Sequence, residues 1–222
     1  MLAGEAVVAI WNGIAPHARA QFYDWHINEH MPERVGIPGF RRGRRYIAAD
    51  AATHPEFFTL YELDTMEVAK GSDYANRLND PTPGTVASTS QFLDTYRALS
   101  RVLFSEGPGA GGVIQTIRLD FPDAALGAVR ALVSASRTLP RVVGAHLCQG
   151  DLAASSVRTT ETKGRTDIKQ PPSRFIMIEA TDTEALAEVL PDSVLADVGV
   201  RGPIERGVYR LEFTRTKTAF AT

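Results

Sequence analysis

A single cysteine, Cys148, stands among 222 residues, so no disulfide can form within the chain, and a reducing compartment, the cytoplasm, is expected. No apolar run approaches the ~20 residues of a membrane span. The first residues lack the basic start and apolar core of a secretion signal, so neither export nor membrane association is expected. An excess of one charge is also missing. The 24 Lys and Arg residues against 26 Asp and Glu leave −2, which gives no general attraction to nucleic acid or to an anionic membrane.

With 44% apolar and 23% charged residues, the chain can bury a core in the ordinary way of soluble globular proteins. Its most informative feature is a pattern written twice. A strand-like run, Ala6 to Trp11, leads through an amphipathic helical segment to Ile37-Pro38-Gly39-Phe40. A basic strand from Arg41 to Ile47 follows, and Phe57 to Leu63 then opens another helix at Asp64-Thr65. In the second half, Val113 to Ile117 leads to a helical run ending at Leu139-Pro140-Arg141-Val142. Gly144 to Cys148 comes next, and Phe175 to Ala180 opens a helix at Asp182-Thr183. Both halves close on a Tyr-Arg strand, Tyr96-Arg97 and Tyr209-Arg210. A repeat of this size is a duplicated domain, since solenoid units run to roughly 20–50 residues.

Gly107-Pro108-Gly109-Ala110-Gly111-Gly112 reads as the linker. The expected class is α+β: ferredoxin-like β-α-β-β-α-β units at 1–107 and 112–222, with antiparallel sheets carrying helices on one face. Asp151 to Ser173, rich in Ser, Thr, Lys and Arg, reads as a polar surface insertion, a loop or a lid over a site.

The functional signal lies in Phe22 to Pro32. At 100° per residue, Ala18, Phe22, Trp25 and Glu29 share one stripe, with His26 and His30 beside it one turn apart. Glu29 between aromatic rings is where desolvation raises a carboxyl pKa. His30 falls near the helix end because Pro32 removes a backbone donor, and histidine suits proton transfer near neutral pH. His30, Glu29 and His26 are therefore the catalytic candidates, against the plainer reading of packed structural histidines.

His26 to His30 also spells H-x-x-E-H, an inverted zinc-peptidase pattern with both imidazoles on one face. The long helix and third ligand of such enzymes are missing, and no metal is expected. Along Phe40 to Tyr46, alternation puts Phe40, Arg42, Arg44 and Tyr46 on one face and Arg41 and Arg45 on the other. Arg42, Arg44 and Tyr46, with Trp25 and Tyr61, are candidates for holding a carboxylate or phenolate. The alternative is a strand whose arginines pair with acids such as Glu56, Glu62 or Asp64. An RNA-binding sheet shares the topology, but its motif is missing and the net charge is acidic.

The string Phe22-Tyr23-x-Trp25, His30-x-Pro32, Ile37-Pro38-Gly39-Phe40 and Arg44-Arg45-Tyr46, with Arg77-Leu78-Asn79-Asp80-Pro81-Thr82-Pro83 after it, resembles the EthD-like branch of the dimeric α/β barrel superfamily. The resemblance covers roughly residues 20–85. It implies two sheets closing a barrel, here within one chain as a pseudo-dimer, and a small-molecule site between sheet and helices. It further implies a helix histidine at His30 and activities such as cofactor-free monooxygenation, dehydration, cyclisation and isomerisation.

A cofactor-independent enzyme on a polar aromatic or polyketide-like ligand is the leading expectation, with no cofactor. Non-catalytic ligand binding comes second and a haem or metal protein third. Self-association as a homodimer is compatible with each. A pocket lined by His30 and a second polar group supports the first reading; no cavity of ~300 Å³ near His30 supports the second. The second half has Leu132 where the first has His30, so one half alone would carry the site, and His146 reads as structural.

Overall fold

The computed structural model describes residues 1–217. Eight strands form: β1 (Ala6–Ile14), β2 (Phe40–Ala48), β3 (Phe57–Leu63), β4 (Phe92–Glu106), β5 (Val113–Leu119), β6 (Val142–Gly150), β7 (Arg174–Ala180) and β8 (Glu205–Thr216). They close into one antiparallel barrel in the order β1-β3-β2-β8-β5-β7-β6-β4. Within each half the order is the same, β4-β1-β3-β2 and β8-β5-β7-β6. The seams are β2 on β8 and β4 on β6. Among the described residues no helix is long and apolar enough to cross a membrane.

Helices cover the outside of the barrel. In the first half these are α1 (Arg19–Trp25), a π-helical turn (His26–His30), α2 (Met31–Gly36), α3 (Met66–Lys70), α4 (Ser72–Asn79) and α5 (Pro83–Thr89). In the second they are α6 (Leu126–Ser136), α7 (Leu152–Ser155) and α8 (Asp192–Asp197). The central strands β3 and β7 are buried at every residue, because one face meets the barrel interior and the other meets helices. This is why their sequences read as nearly continuous apolar runs. The barrel interior holds Val7, Trp11, Tyr46, Phe58, Leu60, Cys148, Phe175 and Tyr209.

The turn into the second strand of each half needs a left-handed residue. Gly39 supplies it at φ 84°, and Arg141 takes the matching place after Pro140 at φ 67°. Glycine adopts this conformation without penalty, whereas a side chain rarely does. Gly43 has a different task, since a Cβ there would stand 2.1 Å from Met31 Sδ; its absence lets α2 lie on β2.

The expected placement of Phe40 beside Arg42, Arg44 and Tyr46 is corrected by a bulge. Pairing with β3 shifts register between Phe40 and Arg42, so Phe40 packs under the helices while the other three face the barrel interior. There Arg42 forms two bonds to Glu62 (2.9 and 2.8 Å), and Arg44 bridges Glu62 (2.9 Å) to Glu179 of β7 (2.7 and 3.1 Å). His146 Nε2 lies 3.2 Å from Glu179 and its Nδ1 2.9 Å from Ser105 Oγ. Burial opposes the charge on Glu179, but the His146 hydrogen bond and the Arg44 guanidinium hold its carboxyl well below the usual range. The cluster follows the repeat. Glu62 and Glu179 stand at matching registers, opposite Val7 and Ile114, and Arg44 matches His146.

Arg44 is the only side chain of the described residues that joins both buried glutamates. Removing one partner of a buried pair leaves charge without compensation and typically costs about 3–5 kcal/mol. Arg44→Met should therefore lower unfolding free energy on that scale in urea, well beyond Arg42→Met, whose side chain reaches solvent. Equal midpoints for the two variants would show that Arg44 is not the keystone of the cluster.

Candidate functional site

A cavity of about 230 Å³ lies between the helix-facing side of β1, β3 and β4 and the helices of the first half. Strand alternation supplies its floor, with Ile10 and Asn12 from β1, Thr59 and Tyr61 from β3, and Thr95 and Arg97 from β4. Trp25, His26, His30, Arg34 and Tyr74 come from the helices.

The histidines reach it through the π-helical turn. There Met31 N–H donates to His26 C=O, five residues back, so the 3.6-residue spacing breaks within the motif itself. Such turns recur at functional sites because one extra residue re-aims the side chains beyond it. His30 consequently stacks on Trp25 (ring centroids 4.3 Å) and lies 5.6 Å from His26 and 6.5 Å from Tyr61. Glu29 lies on the side of Trp25, toward α5, and does not line the cavity. It is half-buried, accepts a hydrogen bond from the Thr82 hydroxyl and packs on Gly84 of α5. The same helix fixes Trp25, whose Nε1–H donates to Thr85 Oγ1 (3.2 Å).

Of the residues singled out from sequence, His30, His26, Trp25 and Tyr61 meet at the cavity. Arg42, Arg44, Tyr46 and Glu62 lie on the opposite face of the sheet. Arg34, Tyr74, Phe92 and Arg97 line the cavity without having been singled out. Alternation alone would have put Arg97 on the helix side of its strand, opposite Ile10.

The insertion of the second half forms the roof. Residues Ser155 to Thr159, Glu161, Thr162, Arg165 and Ile168 to Pro171 line the cavity. Several contacts pin this lid to the first half. Arg34 pairs with Glu161, Thr95 of β4 donates its N–H to Asp167 C=O and accepts from Lys169 N–H, and Lys70 pairs with Asp151. Ser155 Oγ accepts from Leu99 N–H (2.9 Å). The polar composition that marked a loop thus serves as a row of anchors.

Burial holds both imidazoles neutral. His26 is lowered to about 3 by desolvation and by Arg45 and Arg34, and His30 falls well below its ordinary value through desolvation, Arg34 and His26. Arg45 Nη1 stands 3.4 Å from His26 Nδ1. Arginine can only donate, so it selects the tautomer with the proton on Nε2. Arg45 is itself held by Glu212 of β8 (3.1 Å) and by the Tyr23 ring (4.7 Å). Two buried polar atoms in the cavity wall, His30 Nδ1 and Tyr61 Oη, have no hydrogen-bond partner. Among the described residues no three His, Cys, Asp or Glu side chains cluster to hold a metal ion.

These shifts fix how stability depends on pH. A histidine lowered in the folded state leaves the unfolded chain binding more protons below the unfolded value of about 6.5. Stability should be constant above that value and fall as pH drops, by up to ~1.4 kcal/mol per unit for each such histidine. His146, also lowered by burial, adds to the slope, and Glu179 adds below about 4.3 as its stabilising charge is lost. Urea midpoints between pH 5 and 7 check this. His30→Gln should flatten the slope, and an unchanged slope would mean that His30 titrates normally.

No protein-family model matches the chain, and no curated protein matches it in sequence. Solved structures match its fold over nearly the whole length. An anthrone oxidase-like protein is 12% identical, with 98% of this chain and 96% of that chain covered and a TM-score of 0.64. A protein from Lactobacillus acidophilus NCFM, provisionally assigned as a monooxygenase, is also 12% identical, with 96% of each chain covered and a TM-score of 0.59. One provisionally assigned as a chlorite dismutase is 9% identical, covering 95% and 96%, with a TM-score of 0.60. At these identities the likeness is one of fold. The chain has the dimeric α/β barrel fold, with both halves of the barrel supplied by a single polypeptide.

Proposed function

We propose that the protein is a cofactor-independent small-molecule enzyme of the EthD-like branch, acting on a polar aromatic or polyketide-like compound with His30 as the proton-transfer group. In this reading the unit formed by residues 1–107 carries the site and the unit 112–222 supplies its lid. The observation that carries it is the pair of orphaned polar atoms, His30 Nδ1 and Tyr61 Oη, in the wall of one partly open cavity. Leaving such an atom unsatisfied costs about 1–3 kcal/mol. Other such atoms lie elsewhere in the protein, at Tyr46 and Gln115 among them, but these two share one cavity, and a ligand that supplies the missing bonds accounts for both.

The chemistry follows from charge. A neutral imidazole can accept a proton from an acidic C–H or O–H of the ligand. The N–H bond forms as the substrate bond breaks, and the electron pair stays on the substrate as an enolate or phenolate. Arg34 disfavours the imidazolium that results but favours the anion formed with it, so the two effects offset within the cavity. Tyr61, its hydroxyl held protonated by burial, is a donor for the developing oxyanion. That anion is common to four outcomes. Reprotonation elsewhere gives isomerisation, loss of a leaving group gives a lyase, and attack on an internal carbonyl gives cyclisation. Electron transfer to dioxygen as co-substrate, followed by C–O bond formation to a peroxide that loses water, gives monooxygenation.

Non-catalytic binding draws on one observation. At about 230 Å³ the cavity falls below the ~300–1,000 Å³ usual for ligand sites. The same size makes it too small for a macrocycle such as haem without rearrangement.

A screen of phenolic acids and anthrone-like compounds tests the proposal. With any substrate found, His30→Gln should lower the rate by about 10²–10⁴ while the variant stays folded. Because His30 is neutral well below pH 6.5, kcat/KM should stay flat from pH 8 to 6. Full activity in His30→Gln would remove His30 from the mechanism.

A further inference from the structure

The charge of the cavity wall is one-sided. Arg34, Arg97, Arg158, Arg165 and Lys169 line it, with Glu161 as the sole acid, while both histidines are uncharged. Three of the five cations are matched: Arg34 by Glu33 and Glu161, Arg165 by Asp167, and Lys169 by Asp94. Arg97 and Arg158 have no carboxylate partner among the described residues. Arg97 gives one donor to Tyr74 Oη (3.1 Å) and lies over that ring (5.6 Å). A guanidinium has five donors in a planar fork, so most of its capacity remains, in the geometry that a carboxylate accepts. Among aliphatic and hydroxyl side chains the wall also carries aromatic rings, with Trp25 and Phe92 6.2 Å apart and Tyr61 6.5 Å from His30.

We propose that the cavity binds a planar aromatic carboxylate, its ring against Trp25 and Phe92 and its carboxylate held by Arg97 from the barrel and Arg158 from the lid. The assignment deepens the functional reading of the cavity and names its ligand class, but its test needs no turnover. It also gives the lid a purpose. A carboxylate held from both sides ties the insertion of the second half to the barrel of the first. This adds an ion pair to a roof that Glu161 and Asp167 already anchor. The size of the cavity, roughly eight water volumes at ~30 Å³ each, suits one or two fused rings better than a long chain.

Calorimetric titration of the full chain with 2-naphthoate and with its neutral isostere 2-naphthamide separates charge from shape. The carboxylate should bind at least about tenfold tighter, and the margin should shrink as salt rises. Arg97→Met should weaken 2-naphthoate to the level of the amide and leave the amide unchanged. Arg158→Ala, at an exposed lid position that the fold does not need, should do the same in smaller measure. Circular dichroism and melting confirm that both variants fold. Equal affinity for acid and amide, no binding of either at millimolar concentration, or an acid preference that survives both substitutions would overturn the assignment. Tight 2-naphthoate binding by a chain that turns over no aromatic acid would keep the anion site and remove the enzyme reading. His30-dependent turnover without preference for acid over amide would do the reverse.

Discussion

Closing eight strands into a barrel with helices outside buries both faces of the sheet, and strand parity then decides what each residue can do. Along β3, Phe58, Leu60 and Glu62 enter the barrel interior, while Thr59 and Tyr61 face the helices and the cavity. A single residue thus separates a structural ion cluster from a candidate active site. The bulge in β2 shows how sharp the constraint is. One shifted residue sends Phe40 under the helices and commits Arg42, Arg44 and Tyr46 to the interior, where the arginines meet glutamates instead of ligand.

The two halves share one topology and have gone separate ways in chemistry. Tyr61 of the first half corresponds in register to Ile178 of the second, and the helix above Ile178 presents Val129 and Val133. Aliphatic side chains there fill the volume that the first half leaves open, so the second half has a core where the first has a cavity. In exchange its β6–β7 connection crosses to the first half as the lid. The candidate site thus draws its wall from both halves of the one chain.

Electrostatics tie the site to the frame. Glu212 on β8 holds Arg45, Arg45 orients His26, and His26 packs against His30 and helps to keep it neutral. Two of these links cross the β2–β8 seam or the sheet-to-helix interface, so proton affinity in the cavity depends on how the barrel closes.

The α+β class and the strand-helix order were readable in the sequence because they rest on local periodicity and on the Pro-Gly and Pro-Arg turns. The histidine motif was readable because His26, His30 and the aromatic residues are close along the chain. Several features were not local. The π-helical turn interrupts the 3.6-residue period within the motif, while Met31 lies against Gly43 of β2 and Glu29 meets Thr82 of the loop before α5, both far along the chain. The roles of Arg34, Arg97 and the lid arise from contacts between residues as far apart as Arg34 and Glu161, 127 positions along the chain. Sequence by itself determined the order of strands and helices and the residue types that each of them bears. Only the tertiary structure decided which groups share a cavity, because burial, pairing and proton affinity belong to neighbours that chain order does not specify.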